Sequence, residues 1–410
     1  MASQIRIRMY RTGFGDCFLL SFGPLRRSRH VLIDFGTHMR GDIGAMELIV
    51  DSIESTTGRR LELIIATHAH RDHISGFGKF SRRFAEFEIG EIWMPWTENK
   101  HDREAATLAR KHIALYDFLD NHIRIGLAAS NDPKYAAALE VLSNLRGNEV
   151  ATSELARGFG SGAQIRYMEA GTLVDKVGEV TGLSAEILAP SKDQQFLSRM
   201  DPPASQRFLT SPTAGTNVVR PFPQFEVSPI EAQTNYNVTD GGQPLVPPSD
   251  LDALHTSAEV QADRLALALD NVRNNTSLVV LFRFRDKSLL FPGDAQWGNW
   301  QSWVGNDKAH QVLGELNFLK VAHHGSANAT PVEVVEALDP TRAAAMVSTQ
   351  VTPFPTIPRL PLMDELRKHC EGNVVVRSDW IHFKEASVDS NASVLPNRFK
   401  AGQLWIDYTL

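Results

Sequence analysis

The spacing of hydrophobic residues predicts alternating strands and helices along most of the chain. Short runs of branched or aromatic side chains bounded by Gly or Pro are typical of strands, and apolar residues at helical spacing indicate helices. The runs interpreted as strands are IRIRMY (5–10), CFLLSF (17–22), HVLIDF (30–35), LELIIAT (61–67), EIWMPW (91–96), 181–190, LVVLFRF, KSLLF, LNFLKVAHHG (316–325), AAAMVS and NVVVRSD. Helices are predicted at residues 43–55, 102–121, 133–146, 256–272 and 361–370. This order of elements predicts an α/β fold.

One long stretch breaks this rhythm. Residues 191–252 are rich in Pro, Ser, Thr, Asn and Gly and show no sustained periodicity. A loop of this length inside a compact domain is uncommon unless it has a function or is disordered. We therefore predict one domain over residues 1–410 with an internal insertion at 191–252. Two interpretations of the insertion stay open: a mobile surface loop, or a lid or partner-docking arm.

The composition is that of an ordinary globular chain, with 410 residues, 42% hydrophobic and 22% charged. The start lacks the apolar core of a signal peptide, and no stretch approaches the ~18 apolar residues that span a bilayer. We therefore expect a cytoplasmic protein without a membrane partner. With two cysteines and no Cys-x-x-Cys, any metal must rest on His, Asp or Glu. The net charge of −6 argues against nonspecific coating of nucleic acid, but it does not exclude a nuclease.

The densest group of polar side chains is THAHRDHISGF at residues 67–77, which then turns on Ser-Gly. A packed core has little use for so many imidazoles, because each buried ring nitrogen needs a partner. If LELIIAT is a strand, His68 and His70 continue it on one face. Asp72 and His73 then lie on the turn that opens the next segment. Lone histidines usually have a structural role, but His-x-His-x-Asp-His after a buried strand predicts a metal site.

These residues carry a resemblance to a known family. THAHRDH resembles the HxHxDH signature of the metallo-β-lactamase fold, an αββα sandwich of metal-dependent hydrolases. Further blocks, in the same order, resemble the hydrolase domain of ComEC-type competence proteins: GFGDCFLLSF, HVLIDFG, NNTSLVVLFRFRDKSLLFPGDA and LKVAHHGSANAT. The resemblance covers most of the chain outside the insertion and implies an αββα sandwich with a long irregular insertion.

The resemblance also implies two divalent metal ions, Zn²⁺ or Mn²⁺, and a set of ligands for them. His68 and His70 would hold one ion, Asp72 and His73 the second, and Asp294 of PGDA would bridge both. From the residues alone, an Asp after Pro-Gly at the end of a strand is either a turn former or a ligand.

A histidine of the HHG pair, His323 or His324, would complete the second site. Strand alternation sends these two side chains to opposite faces, so only one is expected to be a ligand. His324 is preferred, because related enzymes often place a glycine directly after the ligating histidine.

Two departures from the family pattern affect the site. Many relatives supply a third histidine to the first ion, and here the histidines between the motifs lie in no recognisable setting; they are His101, His112, His122 and His255. We expect the first ion to be weakly held or completed by another ligand, with Asn275 a candidate neighbour. ComEC-type domains also carry a His-Pro after HHGS, where this chain reads TPFPTIPRLP.

This ligand set implies hydrolysis by a hydroxide shared between the ions, which also polarise the scissile phosphoryl or carbonyl oxygen. Asp72 and Asp294 are then the catalytic carboxylates, and Asp72 is able to orient the hydroxide. The candidates for substrate contacts are Arg71, Asn275, Ser326 and Asn328. Polar residues near a metal are, however, often supports for its ligands.

We expect a soluble phosphodiesterase or nuclease that acts on DNA, RNA or a smaller phosphodiester. The alternatives are a hydrolase of a thioester, lactone or phosphorylcholine ester, and a degenerate binding or regulatory module.

A nuclease should have a path of basic side chains to its site. The candidates are Arg26, Arg27, Arg29, Arg71, Arg82 and Arg83, although charge runs usually form a solvated face. The tryptophans at 93, 96, 297, 300 and 303 are able to stack on bases or to pack between helix and sheet.

Overall fold

Two β-sheets face each other across a layer of hydrophobic side chains, and helices cover their outer faces. The computed structural model describes residues 4–24, 27–38, 45–129, 138–139, 142–145, 148–199, 202–208, 273–305, 307–350, 354, 357–373, 375–379 and 398–410. This arrangement confirms the predicted α/β class and the αββα sandwich.

The strands are β1 (Ile5–Tyr10), β2 (Phe18–Phe22), β3 (Arg29–Ile33), β4 (Arg60–Ile65), β5 (Glu88–Pro95), β6 (Gln164–Met168), β7 (Leu173–Val174), β8 (Leu183–Ala189), β9 (Val279–Phe284), β10 (Lys287–Phe291), β11 (Phe318–Lys320), β12 (Ala344–Val347), β13 (Val375–Arg377), β14 (Phe399–Ala401) and β15 (Trp405–Thr409). One sheet has eight strands in the order β14-β15-β1-β2-β3-β4-β5-β6, and the other has seven in the order β13-β12-β11-β10-β9-β8-β7. Strands β3 to β6 are parallel, and so are β10 to β13.

Alternate residues of the strands fill the space between the sheets. The ring of Phe18 lies 5.6 Å from that of Phe291, and Phe22 lies 5.1 Å from Phe284, so each pair joins the two sheets. Burying large apolar side chains supplies most of the driving force for such a sandwich.

The helices are α1 (Met46–Thr57), α2 (Arg71–Lys79), α3 (Ser81–Phe84), α4 (Arg103–Ala129), α5 (Glu149–Ala156), α6 (Gln194–Leu197), α7 (Trp297–Val304), α8 (Asp307–Gly314), α9 (Val332–Glu336) and α10 (Leu360–Lys368). Side chains such as Ile49 and Phe77 pack α1 and α2 on the first sheet, and Trp300 and Leu362 pack α7 and α10 on the second. No described helix is both long and apolar enough to cross a lipid bilayer.

The sequence located most strands but missed several elements. Short or half-buried strands such as β6, β7, β14 and β15 have weak patterns of their own, and the helices α2, α5, α7 and α8 were not predicted. The helix predicted at 133–146 is described only at residues 138–139 and 142–145, which are helical. The helix predicted at 256–272 lies outside the described residues, as do residues 200–201 and 209–252 of the insertion.

The end of β3 packs tightly on the start of α2. Backbone hydrogen bonds join Phe35 N to the His73 carbonyl at 2.7 Å and Asp16 N to the Asp72 carbonyl at 2.9 Å. A Cβ on Gly36 would overlap the peptide between Asp72 and His73. Only glycine therefore allows the two segments to approach this closely.

We expect Gly36→Ala to lower the free energy of unfolding by about 1–3 kcal/mol, because the added methyl group meets rigid backbone. Chemical denaturation measures the change. Gly305→Ala is the matched control, since nothing lies within 4 Å of its added Cβ. Equal stability of the two variants would show that the packing of β3 on α2 adjusts freely.

Candidate metal centre

The polar residues singled out from the sequence gather at one edge of the sandwich. The carboxyl ends of parallel strands from both sheets meet there, so segments distant in sequence come together. Strand β3 leads to Asp34, β4 to His68, β10 to Asp294, β11 to His324 and β12 to Ser348.

The segment THAHRDH forms a loop and the first turn of a helix. Strand β4 ends at Ile65, because the Thr67 amide donates to the Asp34 carboxylate at 2.8 Å instead of to a neighbouring strand. The prediction that His68 and His70 continue the strand is therefore wrong, although their ring centroids lie 4.6 Å apart. The expected turn at residues 75–76 is also wrong, since both residues lie within α2.

Four buried side chains bring ligand atoms to one place. One ligand atom from each of Asp72, His73, Asp294 and His324 lies within 4.8 Å of all the others. His73 Nε2 is 3.1 Å from Asp294 Oδ2, and His324 Nε2 is 3.2 Å from Asp72 Oδ2 and 3.4 Å from Asp294 Oδ2. This is the set that the resemblance implied for the second ion.

The two histidines of HHG occupy a short turn. Strand β11 ends at Lys320, and His323 and His324 have φ values of 43° and 54° within a 3-10 segment, Ala322–Gly325. The predicted strand to residue 325 is wrong, because this left-handed backbone cannot continue a sheet. His324 is buried inside the cluster, whereas His323 is partly exposed, with its Nε2 4.0 Å from Asp294 Oδ2.

Neighbouring groups orient the two imidazoles of the cluster. His73 Nδ1 donates to Asp34 Oδ2 at 2.7 Å, and His324 Nδ1 donates to the Ser348 carbonyl at 2.8 Å. With Nδ1 occupied in this way, each ring presents Nε2 to the cluster. Such partners are how proteins fix metal-binding histidines.

Lys320 and Asp16 lie behind the cluster. The Lys320 ammonium contacts Asp16 Oδ2 and lies 3.2 Å from Asp294 Oδ1. Sequence reasoning did not select Asp16, Asp34 or Lys320 as site residues. The family resemblance could have pointed to them, because all three fall inside the blocks GFGD, LIDFG and LKVAHHG that carry it.

The cluster perturbs the pKa values of its own members. Burial opposes the charged form of Asp72, but the neighbouring His73 and His324 hold its pKa below the ordinary range. Burial likewise opposes the charged form of His324, but Asp294 and Asp72 raise its pKa from 6.5 to about 10. Asp294 and Asp34 raise the pKa of His73 in the same way, against the effect of burial.

The pair His68 and His70 differs from this cluster. Burial lowers the pKa of both imidazoles, that of His70 to about 3, so both rings are neutral near pH 7. His68 Nε2 is buried and makes no hydrogen bond within the described part of the chain. Neutral imidazole and carboxylate are the donors that zinc and manganese accept, so the residues present fit a divalent ion.

Among the described residues, no third His, Cys, Asp or Glu forms a compact group of possible ligands with His68 and His70. His101 is exposed and His112 lies on α4, while the side chain of His122 and all of His255 are outside the described residues. A nearby carboxylate does exist, since Glu98 lines a small pocket together with His68. Glu98 also lies 3.6 Å from the Arg273 guanidinium.

The residues predicted to contact substrate have different surroundings. Asn275 is fully buried; its amide donates to the Arg199 carbonyl at 2.8 Å and accepts from Gln296 N at 3.2 Å, so both polar ends are engaged in the fold. Ser326 Oγ lies 2.9 Å from His323 Nδ1 and donates to Asn328. Arg71 is half-buried at the start of α2.

Apart from Arg71, the described arginines singled out from the sequence pair with carboxylates or are exposed. Arg29 begins β3, at the end opposite Asp34, and pairs with Glu62, while Arg83 pairs with Glu54 and Asp51 on α1. Arg26 is outside the described residues, and Arg27 and Arg82 are exposed. The tryptophans 93, 96 and 300 are buried and pack within the fold.

Comparison with known families agrees with this geometry. Residues 10–129 match the family model of the metallo-beta-lactamase superfamily. The matched segment contains the whole THAHRDH loop with Asp16 and Asp34, whereas Asp294 and His324 lie beyond it. No curated protein gives a match to the chain. The superfamily and the buried His/Asp cluster together indicate a metal-dependent hydrolase.

We expect His68→Ala combined with His70→Ala to lower the bound metal by roughly one ion per chain, because the four-donor cluster keeps its own ligands. Elemental analysis after dialysis against zinc or manganese measures the content. His101→Ala is the control, since this exposed residue should leave the content unchanged. Full metal content in the double variant would reject the ligand assignment.

The raised pKa of His324 predicts a pH-dependent stability in metal-free protein. A group whose pKa rises from 6.5 to about 10 on folding stabilises the fold fully below pH 6.5 and loses this effect as pH rises towards 10. Thermal unfolding in EDTA should therefore show falling stability over this window. His324→Gln, which cannot carry the charge, should flatten that dependence. An equally steep decline of stability in His324→Gln would show that other groups cause the pH dependence.

Proposed function

We propose that this protein is a metal-dependent phosphodiesterase related to the hydrolase domain of ComEC-type proteins. The observation that carries the proposal is the convergence of Asp72, His73, Asp294 and His324 at the edge where both sheets end. Two carboxylates and two imidazoles, buried and close enough to share an ion, fit Zn²⁺ or Mn²⁺. The resemblance of the NNTSLV, PGDA and HHGS blocks supports the ComEC-type branch.

When bound, a divalent ion would lower the pKa of a water and polarise the scissile bond of the substrate. The residues of the chain prepare this chemistry. Asp34 and the Ser348 carbonyl fix the rings of His73 and His324, and Asp72 keeps a buried Oδ1 that has no hydrogen bond with described residues. That oxygen is placed to accept a proton or a hydrogen bond from the attacking water.

His323 is the partly exposed histidine beside the cluster. Its ring lies 3.4 Å from the amides of Asn274 and Gln296 and 2.9 Å from Ser326 Oγ, so several polar groups hold it at the rim. A substrate that reaches Asp294 would pass this group. We propose that His323 and Ser326 contact the leaving or non-bridging oxygen of the substrate.

The distribution of charge favours a small phosphodiester, or a single-stranded end of DNA or RNA, over a long duplex. Duplex binding depends on many Lys and Arg contacts to phosphates, and two of the arginines singled out from the sequence, Arg29 and Arg83, are engaged by carboxylates. The same observation favours, as a second candidate, hydrolysis of an ester with little net charge, such as a thioester, lactone or zwitterionic phosphorylcholine ester.

The regulatory alternative is less well supported, because the four donors of the cluster are all in place. We also propose that the protein is cytoplasmic and that the insertion 191–252 binds a protein partner. Only residues 191–199 and 202–208 of that insertion are described.

We expect manganese- or zinc-dependent cleavage of bis(p-nitrophenyl) phosphate, and its loss in Asp294→Asn by at least about 100-fold, because an amide cannot replace a negatively charged ligand. Asp286→Asn is the matched control, since this exposed carboxylate lies in the turn between β9 and β10 and pairs with Lys287; its activity should persist. The assay includes DNA, RNA, a cyclic dinucleotide, a thioester, a lactone and a phosphorylcholine ester.

Turnover of the thioester or lactone with all phosphodiesters untouched would reject the phosphodiesterase and select the second candidate. No turnover by metal-loaded protein of any member of the panel would favour the regulatory alternative.

A further inference from the structure

A buried lysine lies against the back of the candidate metal centre. Lys320 is the last residue of β11, and its side chain is 2% exposed. The ammonium contacts Asp16 Oδ2 and lies 3.2 Å from Asp294 Oδ1 and 2.8 Å from the Gly293 carbonyl. An ammonium has three N–H donors, and each therefore has an acceptor.

The two oxygens of Asp294 have different surroundings as a result. Oδ1 faces the Lys320 ammonium, whereas Oδ2 lies 3.1 Å from His73 Nε2 and 3.4 Å from His324 Nε2. The Asp294 amide also donates to Ser277 Oγ at 3.1 Å, which fixes the backbone of this residue. Only Oδ2 is turned towards the other donors.

We propose that Lys320 is a positioning residue that makes Asp294 a one-oxygen ligand. A carboxylate can bind one ion through either one oxygen or both. The ammonium occupies Oδ1 and places a positive charge behind it, so a bound ion would be held through Oδ2. The coordination position that a second oxygen would fill would then be left for water or substrate, as hydrolytic metal sites require. This inference rests on the metal centre of the proposed function and is independent of the substrate.

A simpler role for Lys320 would be to neutralise Asp16, which is also buried. The two roles make different predictions when Asp16 is changed. If Lys320 serves Asp16 alone, removing both charges together should leave the metal ligands as they are. If Lys320 positions Asp294, the ligands should change whenever the ammonium is lost, whether or not Asp16 is present.

The test uses the full chain loaded with Co²⁺, whose visible absorption and X-ray absorption spectra report the number of ligands. In Lys320→Met we expect about one additional oxygen ligand, because a freed carboxylate is able to bind through both oxygens. Asp16→Asn is the matched control: it keeps the contact between Lys320 and Asp294 and should give the wild-type spectrum.

Lys320→Met leaves the carboxylate of Asp16 buried without its cation, which destabilises the fold. If this single variant does not fold, the double variant Asp16→Asn with Lys320→Met carries the test. The gain of an oxygen ligand in this folded double variant supports the inference. A wild-type cobalt spectrum, or loss of the metal, in the folded double variant would overturn it. Failure of the wild-type protein to bind metal would instead refute the proposed function.

Discussion

Four carboxylates lie buried at one edge of the sandwich, and the rest of the site depends on balancing their charge. Asp16, Asp34, Asp72 and Asp294 are each no more than 2% exposed. Burial of an unpaired ion costs on the order of several kcal/mol, so these groups require partners of opposite charge. Lys320 and the imidazoles of the cluster supply them, and a divalent ion would replace the protons of those imidazoles. Because the partners come from both sheets, the charge balance also requires the two sheets to meet correctly at this edge.

Sequence reasoning succeeded where the signal was local. The order of strands and helices predicted the α/β class, and the family resemblance implied the αββα sandwich. The spacing His-x-His-x-Asp-His was sufficient to group His68, His70, Asp72 and His73, all of which are buried. Sequence reasoning failed where a distant residue determines the local backbone. β4 ends before His68 because Thr67 binds Asp34, a residue of another strand. The Ser-Gly dipeptide at 75–76 stays helical, with the Gly76 amide donating to the Phe35 carbonyl at 2.8 Å.

The same limit applies to Asp34 and Lys320, which contact the cluster but were not selected from the sequence. Asp34 adopts a left-handed φ of 54°, which a hydrophobic pattern does not predict, and this conformation directs its carboxylate to Thr67 and His73. Lys320 is the last residue of an apolar run and would ordinarily be expected to point into solvent. Its burial follows only once Asp16 and Asp294, from separate parts of the chain, are placed around it. Pairings of this kind become visible only in three dimensions.

Described residues next to the insertion are hydrogen-bonded to the edge that holds the buried His/Asp cluster. Asn275 binds the Arg199 carbonyl, which also accepts from Gly298 N at 2.7 Å, so described residues on both sides of 209–272 are held together. The closure entropy of a loop rises only by about 0.6 kcal/mol for each doubling of its length, so once its ends are fixed a long segment is tolerated. Asn275 is not a member of the cluster, but it binds both Gln296 N and the Arg199 carbonyl, and so joins the segment around Arg199 to the strand end that carries Asp294.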